Sequence, residues 1–167
     1  MTIKTIATER LVLRPLTLDD AHECARLIGD IEVSRWLTVV PHPYSVEDAE
    51  DFIQKGDPEF RFGIEIGGGF AGVVSANTEV GYWLGKPHWR NGYMREAVLA
   101  AVASWFNGGG GDMTSGYFVG NDASQRILAC IGFLPTVLEP TICKATGLEM
   151  PLQKMALSCA DWRARHG

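Results

Sequence analysis

The sequence predicts a single α/β or α+β domain built on a mixed β-sheet. Two observations lead to this: strand-like runs with alternating or β-branched residues are interspersed with runs of helical periodicity, and a glycine turn joins two of the strand-like runs as a hairpin. The length of 167 residues suits one domain with a substantial core. No internal repeat is visible, so we expect residues 1–167 to form one domain.

The composition is typical of a globular domain. Apolar residues make up 46% and charged residues 21%, and no apolar run approaches the roughly 20 residues that a membrane helix needs. The segment Met1–Thr5 lacks the plan of a signal peptide, so the cytoplasm is the expected location. The net charge of −5 argues against general nucleic-acid binding and is compatible with a cationic substrate such as an amine.

Cysteine and histidine spacing predicts neither a metal site nor a disulfide. The four cysteines are widely separated, none forms a C-x-x-C pair, and the four histidines do not cluster with them. We therefore expect free thiols in a reducing compartment and no bound metal. The cysteines concerned are Cys24, Cys130, Cys143 and Cys159.

Helix caps and a glycine turn are the local signals of the N-terminal half. Ser45 followed three residues later by Asp48 resembles a capping box. The run Gly67–Gly69 between two strand-like segments is typical of a hairpin turn. We predict, in chain order, a strand at 9–16, a helix from Thr17 or Asp19 to about Ile28, a short helix at 30–37, a helix from Ser45 to about Gln54, and strands at 60–66 and 70–76.

The C-terminal half continues the alternation of strands and helices. Gly132 fits the position just after a helix end, where a left-handed residue is common. The run Gly108–Gly111 is expected to be a flexible linker, because strand-like sequence resumes directly after it. We predict a strand at 79–84, a helix at 97–106, a strand at 113–119, a helix at 121–131, and strands at 135–137 and 148–157.

The segment Trp89–Ala97 has the features of an anion-binding loop. It connects a strand-like run to a helix start, where unpaired N–H groups and the helix dipole favour negative charge. Gly92 lacks a Cβ, which allows a positive φ and a close approach of the backbone to a ligand. Alone, this loop predicts only a phosphate-binding site.

A second motif about thirty residues later narrows this interpretation. Asn121 can cap a helix, and Ser124 lies about one turn later, so that its hydroxyl can face the same side. Ile127, Leu128 and Ile131 form the stripe expected to be buried.

Together the two motifs resemble the GNAT superfamily of acyl-CoA-dependent N-acetyltransferases. Four further stretches, 8–14, 35–37, 44–49 and 79–84, resemble its RimJ/RimL-like branch, and the resemblance covers roughly residues 6–160. The two motifs are Arg90-x-Gly92-Tyr93-Met94-x-Glu96-Ala97 and Asn121-x-x-Ser124-x-x-x-Leu128-x-x-x-Gly132-Phe133.

The resemblance implies a fold and a reaction. The fold is a mostly antiparallel mixed sheet of about six to seven strands, splayed in the middle and flanked by helices. The reaction moves an acetyl group from acetyl-CoA, without a metal, to a primary amine on a protein N-terminus or a small molecule, by direct attack in a ternary complex. The alternative is an acyl-CoA-binding module without turnover, and both a monomer and a homodimer remain open. A nucleotide-binding domain is disfavoured, because no G-x-x-x-x-G-K-[ST] or G-x-G-x-x-G occurs.

The resemblance also implies roles for individual residues. Ser124 would assist the departing thiolate, Asn121 would bond the pantetheine arm, and Glu79 is the leading candidate for the base, with Glu149 as the weaker one. A solvated strand residue is the equal alternative for Glu79. Trp36 and Tyr44 are expected walls of the acceptor pocket. The expected cofactor-binding residues are Trp83, Leu84, Arg90, Asn91, Gly92, Tyr93, Met94, Arg95, Asn121 and Arg126.

Two residues depart from the superfamily's usual loop pattern, Q/R-x-x-G-x-G/A. Trp89 fills the first position and Met94 the last. We therefore expect main-chain N–H groups and Gly92 to carry most of the binding, and the flanking side chains to matter less.

Overall fold

Two antiparallel β-sheets meet edge to edge in the computed structural model, which describes residues 4–167. Most of the segment 1–5, on which the absence of a signal peptide was argued, lies outside these residues. The first sheet contains β1 (Ile6–Ala7), β2 (Leu11–Pro15), β3 (Arg61–Ile66), β4 (Gly69–Ala76) and β5 (Val80–Leu84), side by side in that order. The second contains β6 (Met113–Phe118), β8 (Glu149–Leu157) and β7 (Leu134–Ile142), with β8 in the centre.

The two sheets are joined at one end of β5 and β6 and separate towards the other. A parallel bridge links Glu79 to Thr114, and the hydroxyl of Ser115 donates to the carbonyl of Val80 (2.9 Å). No ladder joins the rest of β5 to β6 within residues 4–167. This arrangement confirms the mixed sheet with a splayed centre. The count of strands is slightly higher than expected, because the two-residue β1 pairs with β2.

Within residues 4–167, six α-helices cover the sheets, and their start signals are local. The predicted capping box is present: Ser45 Oγ accepts from the N–H of Asp48 (3.0 Å), and Asp48 Oδ2 accepts from the N–H of Ser45 (2.9 Å). Thr17 precedes a short 3-10 helix, Leu18–Asp20, which leads into the first α-helix. The helices are α1 (Ala21–Ile28), α2 (Ile31–Ser34), α3 (Val46–Lys55), α4 (Tyr93–Asn107), α5 (Asp122–Ile131) and α6 (Cys159–His166).

Apolar packing on both faces of the five-stranded sheet fixes the position of α4. Val98 and Val102 of α4 are fully buried in the same cluster as Leu13 and Val74 of the sheet. On the opposite face, α1 and α3 cover a second cluster that contains Val73. Burial of each large aliphatic side chain contributes about 1.5–3 kcal/mol. The N-terminus of α4 is therefore held at the end of the sheet where β5 and β6 separate.

Several element boundaries differ from the predictions. Helix α4 begins at Tyr93 instead of 97, because its first turn has no fully buried residue and the buried stripe starts only at Ala97. Strand β7 extends to Ile142 and not only to 137; it is an edge strand, where prolines such as Pro135 and Pro140 are tolerated. Helix α6 was not predicted, because it buries only Trp162.

The glycine run after α4 is a packed turn, so the predicted flexible linker is corrected. The indole Nε1 of Trp105 donates to the carbonyl of Gly111 (2.8 Å). A Cβ on Gly110 would lie 2.2 Å from the Trp105 ring, so only glycine fits there. In the same described range, the helices include none that combines the length and apolar character needed to cross a bilayer.

Candidate active site

A cavity of about 530 Å³ opens where β5 and β6 separate. Its walls come from the end of β5, the loop that precedes α4, the start of α5 and the segment after α2. The sequence-predicted site residues that line it are Trp36, Trp83, Leu84, Arg90, Gly92, Tyr93, Met94, Arg95, Asn121, Ser124 and Arg126.

Four other candidate residues do not line this cavity. Glu79 is exposed and lies at the joined end of the two sheets, next to Thr114. Glu149 is exposed at the start of β8. Tyr44 is half-buried against the cluster under α1 and α3, and burial raises the pKa of its hydroxyl. The side chain of Asn91 donates to the carbonyl of Trp89 (3.0 Å), so it shapes the loop from outside the cavity.

The loop before α4 has two residues in the left-handed region. Gly92, directly before the helix, has a φ of 78°, and Arg90 has a φ of 64°. Within residues 4–167, Arg90 is the one non-glycine residue with a positive φ. Such a conformation costs on the order of 1–3 kcal/mol and is concentrated at functional loops. Gly92 and the first residues of α4 line the cavity, and the N–H groups of a first helical turn, together with the helix dipole, favour an anion there.

Trp89 fixes this loop to the end of β5. Its indole Nε1 donates to the carbonyl of Leu84 (2.7 Å), and its ring packs against both apolar clusters. The aromatic residue that departs from the superfamily pattern therefore has a structural function here. The sequence showed Trp89 as an anomaly, but its partner could be identified only from the fold.

The β5 main chain presents alternate residues to the cavity. The N–H of Gly85 donates to the carbonyl of Ala71 on the β4 side (2.8 Å), whereas the carbonyl of Val80 accepts from the β6 side. Since neighbouring residues of a strand point their main-chain groups in opposite directions, Tyr82 and Leu84 face the opening, and Trp83 pairs with β4. Of the two predicted strand contacts, Leu84 therefore has an outward N–H, whereas the main-chain groups of Trp83 face β4 and those of Tyr82 face the opening.

A short hydrogen bond crosses the cavity between β5 and α5. The phenolic oxygen of Tyr82 lies 2.5 Å from Ser124 Oγ. Burial raises the pKa of Tyr82 to about 12, against a smaller lowering by the bond to Ser124, so the phenol is neutral at pH 7. Tyr82 was not among the predicted site residues. The sequence signal that could have identified Tyr82 is its position two residues before Leu84, which puts both residues on the same side of the strand.

Asn121 has the expected capping function at the start of α5. Its Oδ1 accepts from the N–H of Ser124 (3.3 Å), and this leaves the Asn121 amide group at the cavity wall. Leu128 and Ile131 are buried as predicted and anchor the helix, while Ile127 is half-buried. Asn121 and Ser124 therefore lie on a firmly packed helix start.

Arg10, which was not among the predicted site residues, extends from the N-terminal hairpin and contacts the loop before α4. Its Nη1 donates to the carbonyl of Asn91 (2.7 Å), its Nε bonds Glu96 (2.9 Å), and its guanidinium lies 4.6 Å from the centre of the Tyr93 ring. Thr8 also donates to Glu96 (2.6 Å). Partial burial alone would raise the pKa of Glu96, but the bonds from Thr8 and Arg10 outweigh it and lower the pKa. Thr8 and Arg10 thus offset the negative charge of the Glu96 carboxylate next to the loop.

The charge of the cavity wall suits a polyanion. Arg90, Arg95 and Arg126 line it, and the described lining residues include no Asp or Glu. This local excess of cations stands in a chain of net charge −5. Together with the outward N–H groups of the α4 start, it fits a ligand with several phosphates. Residues 4–167 contain no group of three or more His, Cys, Asp or Glu that could hold a metal ion.

Solved structures with this fold include acetyltransferases. The crystal structure of a GNAT-family acetyltransferase from Bacillus anthracis superposes with a TM-score of 0.81 at 17% identity, covering 94% of this chain and 99% of that one. RimL, described as a ribosomal L7/L12 alpha-N-protein acetyltransferase in complex with coenzyme A, superposes with a TM-score of 0.78 at 16% identity, covering 93% and 98%. At these identities the likeness shows the fold.

Sequence comparison identifies the family. The N-acetyltransferase p20 of Bacillus licheniformis is 34% identical over 117 residues, which cover 60% of this chain and 65% of p20, slightly less than two thirds of its length. The N-acetyltransferase YoaA of Bacillus subtilis is 30% identical over 145 residues, covering 77% of this chain and 81% of YoaA. Residues 10–134 match the family model described as the acetyltransferase (GNAT) domain. The chain belongs to the GNAT family of acetyltransferases.

Proposed function

We propose that this chain transfers the acetyl group of acetyl-CoA to a primary amine by direct attack in a ternary complex. The observation that carries the proposal is the cavity in which three features converge: the anion-binding start of α4, the open edge of β5, and the hydroxyl of Ser124. Each would contact a different part of an acyl-CoA.

The fit to acetyl-CoA follows from the geometry of the walls. The N–H groups that follow Gly92, with Arg90 and Arg95 beside them, are placed to bind the pyrophosphate. The main-chain groups of Tyr82 and Leu84 can bond the extended pantetheine arm as an added strand would. RimL, which shares the fold, is described with coenzyme A bound.

The chemistry asks three things of the protein. The attacking amine must lose a proton, the carbonyl oxygen needs a donor as it gains negative charge, and the departing thiolate needs stabilisation. The outward N–H of Leu84 is our candidate for the oxygen, and the hydroxyl of Ser124 is our candidate for the thiolate. Glu79 remains our candidate base. Because it does not line the cavity itself, it would act through a water molecule.

The acceptor is a primary amine, and we favour a protein α-amino group over a small molecule. RimL, named as acting on the N-terminus of a ribosomal protein, shares the fold over nearly the whole chain. Trp36 lines the cavity at its mouth and lies against Gly120, where it can contact an incoming peptide. We expect a cytoplasmic protein that works as a monomer or a homodimer.

The decisive experiment combines binding with turnover. Acetyl-CoA should raise the melting temperature, and a panel of N-terminal peptides and small amines should include one that releases free thiol. Stabilisation without thiol release from any acceptor would favour a binding module instead. A melting temperature that acetyl-CoA leaves unchanged would contradict the assignment of the cavity.

Two variants test the roles of Asn121 and Ser124. Asn121→Ala and Ser124→Ala should lower turnover more than they lower acetyl-CoA binding. Asn121→Asp is the matched control for the first, because aspartate keeps the helix cap, whose loss costs about 1 kcal/mol, but removes the amide donor. If Asn121→Asp restored full turnover, Asn121 would act as a cap alone.

A further inference from the structure

The hydrogen bond between Tyr82 and Ser124 has a direction that the chemistry of the two groups sets. Their oxygens are 2.5 Å apart, and either could donate. A phenol is a far stronger acid than an aliphatic hydroxyl, so it is the better donor and the alcohol the better acceptor. Tyr82 therefore donates to Ser124 Oγ.

The buried setting of Tyr82 keeps its hydroxyl as the donor in this bond. Tyr82 has no other hydrogen-bond partner within residues 4–167, and its raised pKa, about 12, keeps the phenol protonated at neutral pH. Ser124 is 7% exposed, and its own N–H is already bonded to Asn121. Because the Ser124 oxygen accepts from Tyr82, the hydrogen of the Ser124 hydroxyl is directed away from the tyrosine.

We propose that Tyr82 is a positioning residue for the transfer reaction, which orients the hydroxyl of Ser124 so that its hydrogen points into the cavity at the departing sulfur. This rests on the proposed function and on the role of Ser124 within it. Tyr82 acts through Ser124 and does not itself touch the reacting atoms.

The step that Tyr82 supports is the breaking of the C–S bond. The amine nitrogen forms the new C–N bond, the electron pair of the C–S bond leaves with sulfur, and the proton lost by nitrogen passes through water to Glu79, the candidate base. The Ser124 hydroxyl donates to sulfur as the charge develops, and its oxygen accepts more strongly from Tyr82 at the same moment. No full proton transfer is required, because a thiolate leaves readily near pH 7.

The two groups come from elements that are far apart in the sequence but adjacent in the fold. Tyr82 lies on β5 and Ser124 on α5, 42 residues later, on opposite sides of the split sheet. Both residues line the cavity, so an acyl group bound there along β5 would lie beside the bond. Removal of the phenolic hydroxyl leaves the rest of this geometry in place.

Tyr82→Phe is the test, because it removes a single oxygen and keeps the ring in the core. We expect kcat to fall about tenfold, the effect of losing a single hydrogen bond in the transition state, while the KM for acetyl-CoA stays within about twofold. The stabilisation of the protein by acetyl-CoA, measured as a shift of Tm, should not change. Tyr117→Phe is the matched control, since Tyr117 is a half-buried tyrosine of β6 that does not line the cavity.

A double-mutant cycle separates positioning from a structural effect. In a Ser124→Ala background, Tyr82→Phe should have no further effect on kcat, because the hydroxyl that it orients is absent. Additive losses, or an unchanged kcat in Tyr82→Phe alone, would overturn the inference while leaving the acetyltransferase assignment intact. A wild-type protein without turnover would contradict the proposed function itself.

Discussion

The guanidinium of Arg10 is bonded to the carboxylate of Glu96, with 2.9 Å between Nε and Oε1, across 86 residues of sequence. The contact ties the turn before β2 to the first turn of α4, directly beside the anion-binding loop. Arg10 also holds the carbonyl of Asn91. One side chain thus compensates a negative charge near the loop and fixes the loop's main chain.

Arg10→Gln should weaken acetyl-CoA binding about fivefold to tenfold, or roughly 1–1.4 kcal/mol. The loop loses its anchor at Asn91, and the Glu96 carboxylate is left with fewer donors near the bound phosphates. Isothermal titration of acetyl-CoA measures the effect. Arg26→Gln is the matched control, because Arg26 forms an exposed ion pair with Glu23 on α1, and the cavity does not include it. Equal affinities of the two variants would contradict a role for Arg10.

Gly92→Ala should reduce acetyl-CoA affinity more than it reduces stability. An alanine at a φ of 78° is strained by about 1–2 kcal/mol, and its Cβ would lie 3.3 Å from Arg10 Nη2. Gly67→Ala is the control: its φ is 57°, and no atom lies within 4 Å of the added Cβ. Both variants should lose similar stability in urea unfolding, and only the first should lose affinity. A similar loss of affinity in both would mean that the loop is not the phosphate site.

Trp89→Phe should lower both stability and acetyl-CoA affinity. The carbonyl of Leu84 loses its donor, which costs about 1–3 kcal/mol where the group stays buried, and the loop is no longer held to β5. Trp105→Phe removes an equivalent indole bond, to Gly111, far from the cavity. It should therefore lower Tm without changing affinity. If Trp89→Phe bound acetyl-CoA as tightly as the wild type, the link to β5 would be irrelevant to the site.

The ion pair of Arg14 with Asp20 predicts a pH-dependent contribution to stability. Asp20 is 7% exposed and accepts two bonds of 2.9 Å from the guanidinium. Burial by itself raises the pKa of Asp20, but the bonds from Arg14 and the N–H of Thr17 outweigh it and lower the pKa. A carboxyl whose pKa is lower in the folded state stabilises the fold above its unfolded pKa, about 3.9, and loses this effect as the pH falls through the folded value.

Arg14→Gln should accordingly destabilise the protein by about 2–3 kcal/mol at pH 7, since it leaves a buried carboxylate without its partner. The difference from the wild type should shrink as the pH falls below the ordinary pKa of Asp, about 3.9, towards the lowered folded value, because protonation of Asp20 ends its pairing with Arg14. Urea unfolding at several pH values measures it. Arg26→Gln, again the exposed control, should stay within about 0.5 kcal/mol throughout. A difference that did not depend on pH would rule out Asp20 as the partner that matters.

Local features of the fold and of the site could be predicted from the sequence because each depends on residues close together in the chain. The capping box at Ser45 and Asp48, the left-handed Gly92 before α4, and the cap of Ser124 by Asn121 all follow from spacing. The mixed, splayed sheet and the family were also predicted correctly, because their motifs occur in a fixed order along most of the chain.

Contacts between distant elements could not be predicted in this way. The sequence suggested Glu79 as a base on the strand that lines the site, but it did not show that the split of the sheet begins beyond Glu79, which leaves this carboxylate outside the cavity wall. The sequence suggested Tyr44 as a wall of the acceptor pocket, because Tyr44 flanks the loop before α3. In the structure Tyr44 packs beneath α1 and α3. A one-dimensional pattern gives the side of a strand on which a residue lies, not the end at which two sheets part.

The sequence by itself therefore determined the loop before α4, its left-handed glycine, the capped start of α5 and the family, because these depend on short-range spacing and chain order. Only the tertiary structure decided that Tyr82 meets Ser124, that Trp89 holds Leu84 and that Arg10 supports the loop. The first and last of these pairings join residues far apart in the chain. They form because helix packing on both faces of the sheet fixes where β5, α4 and α5 end relative to one another.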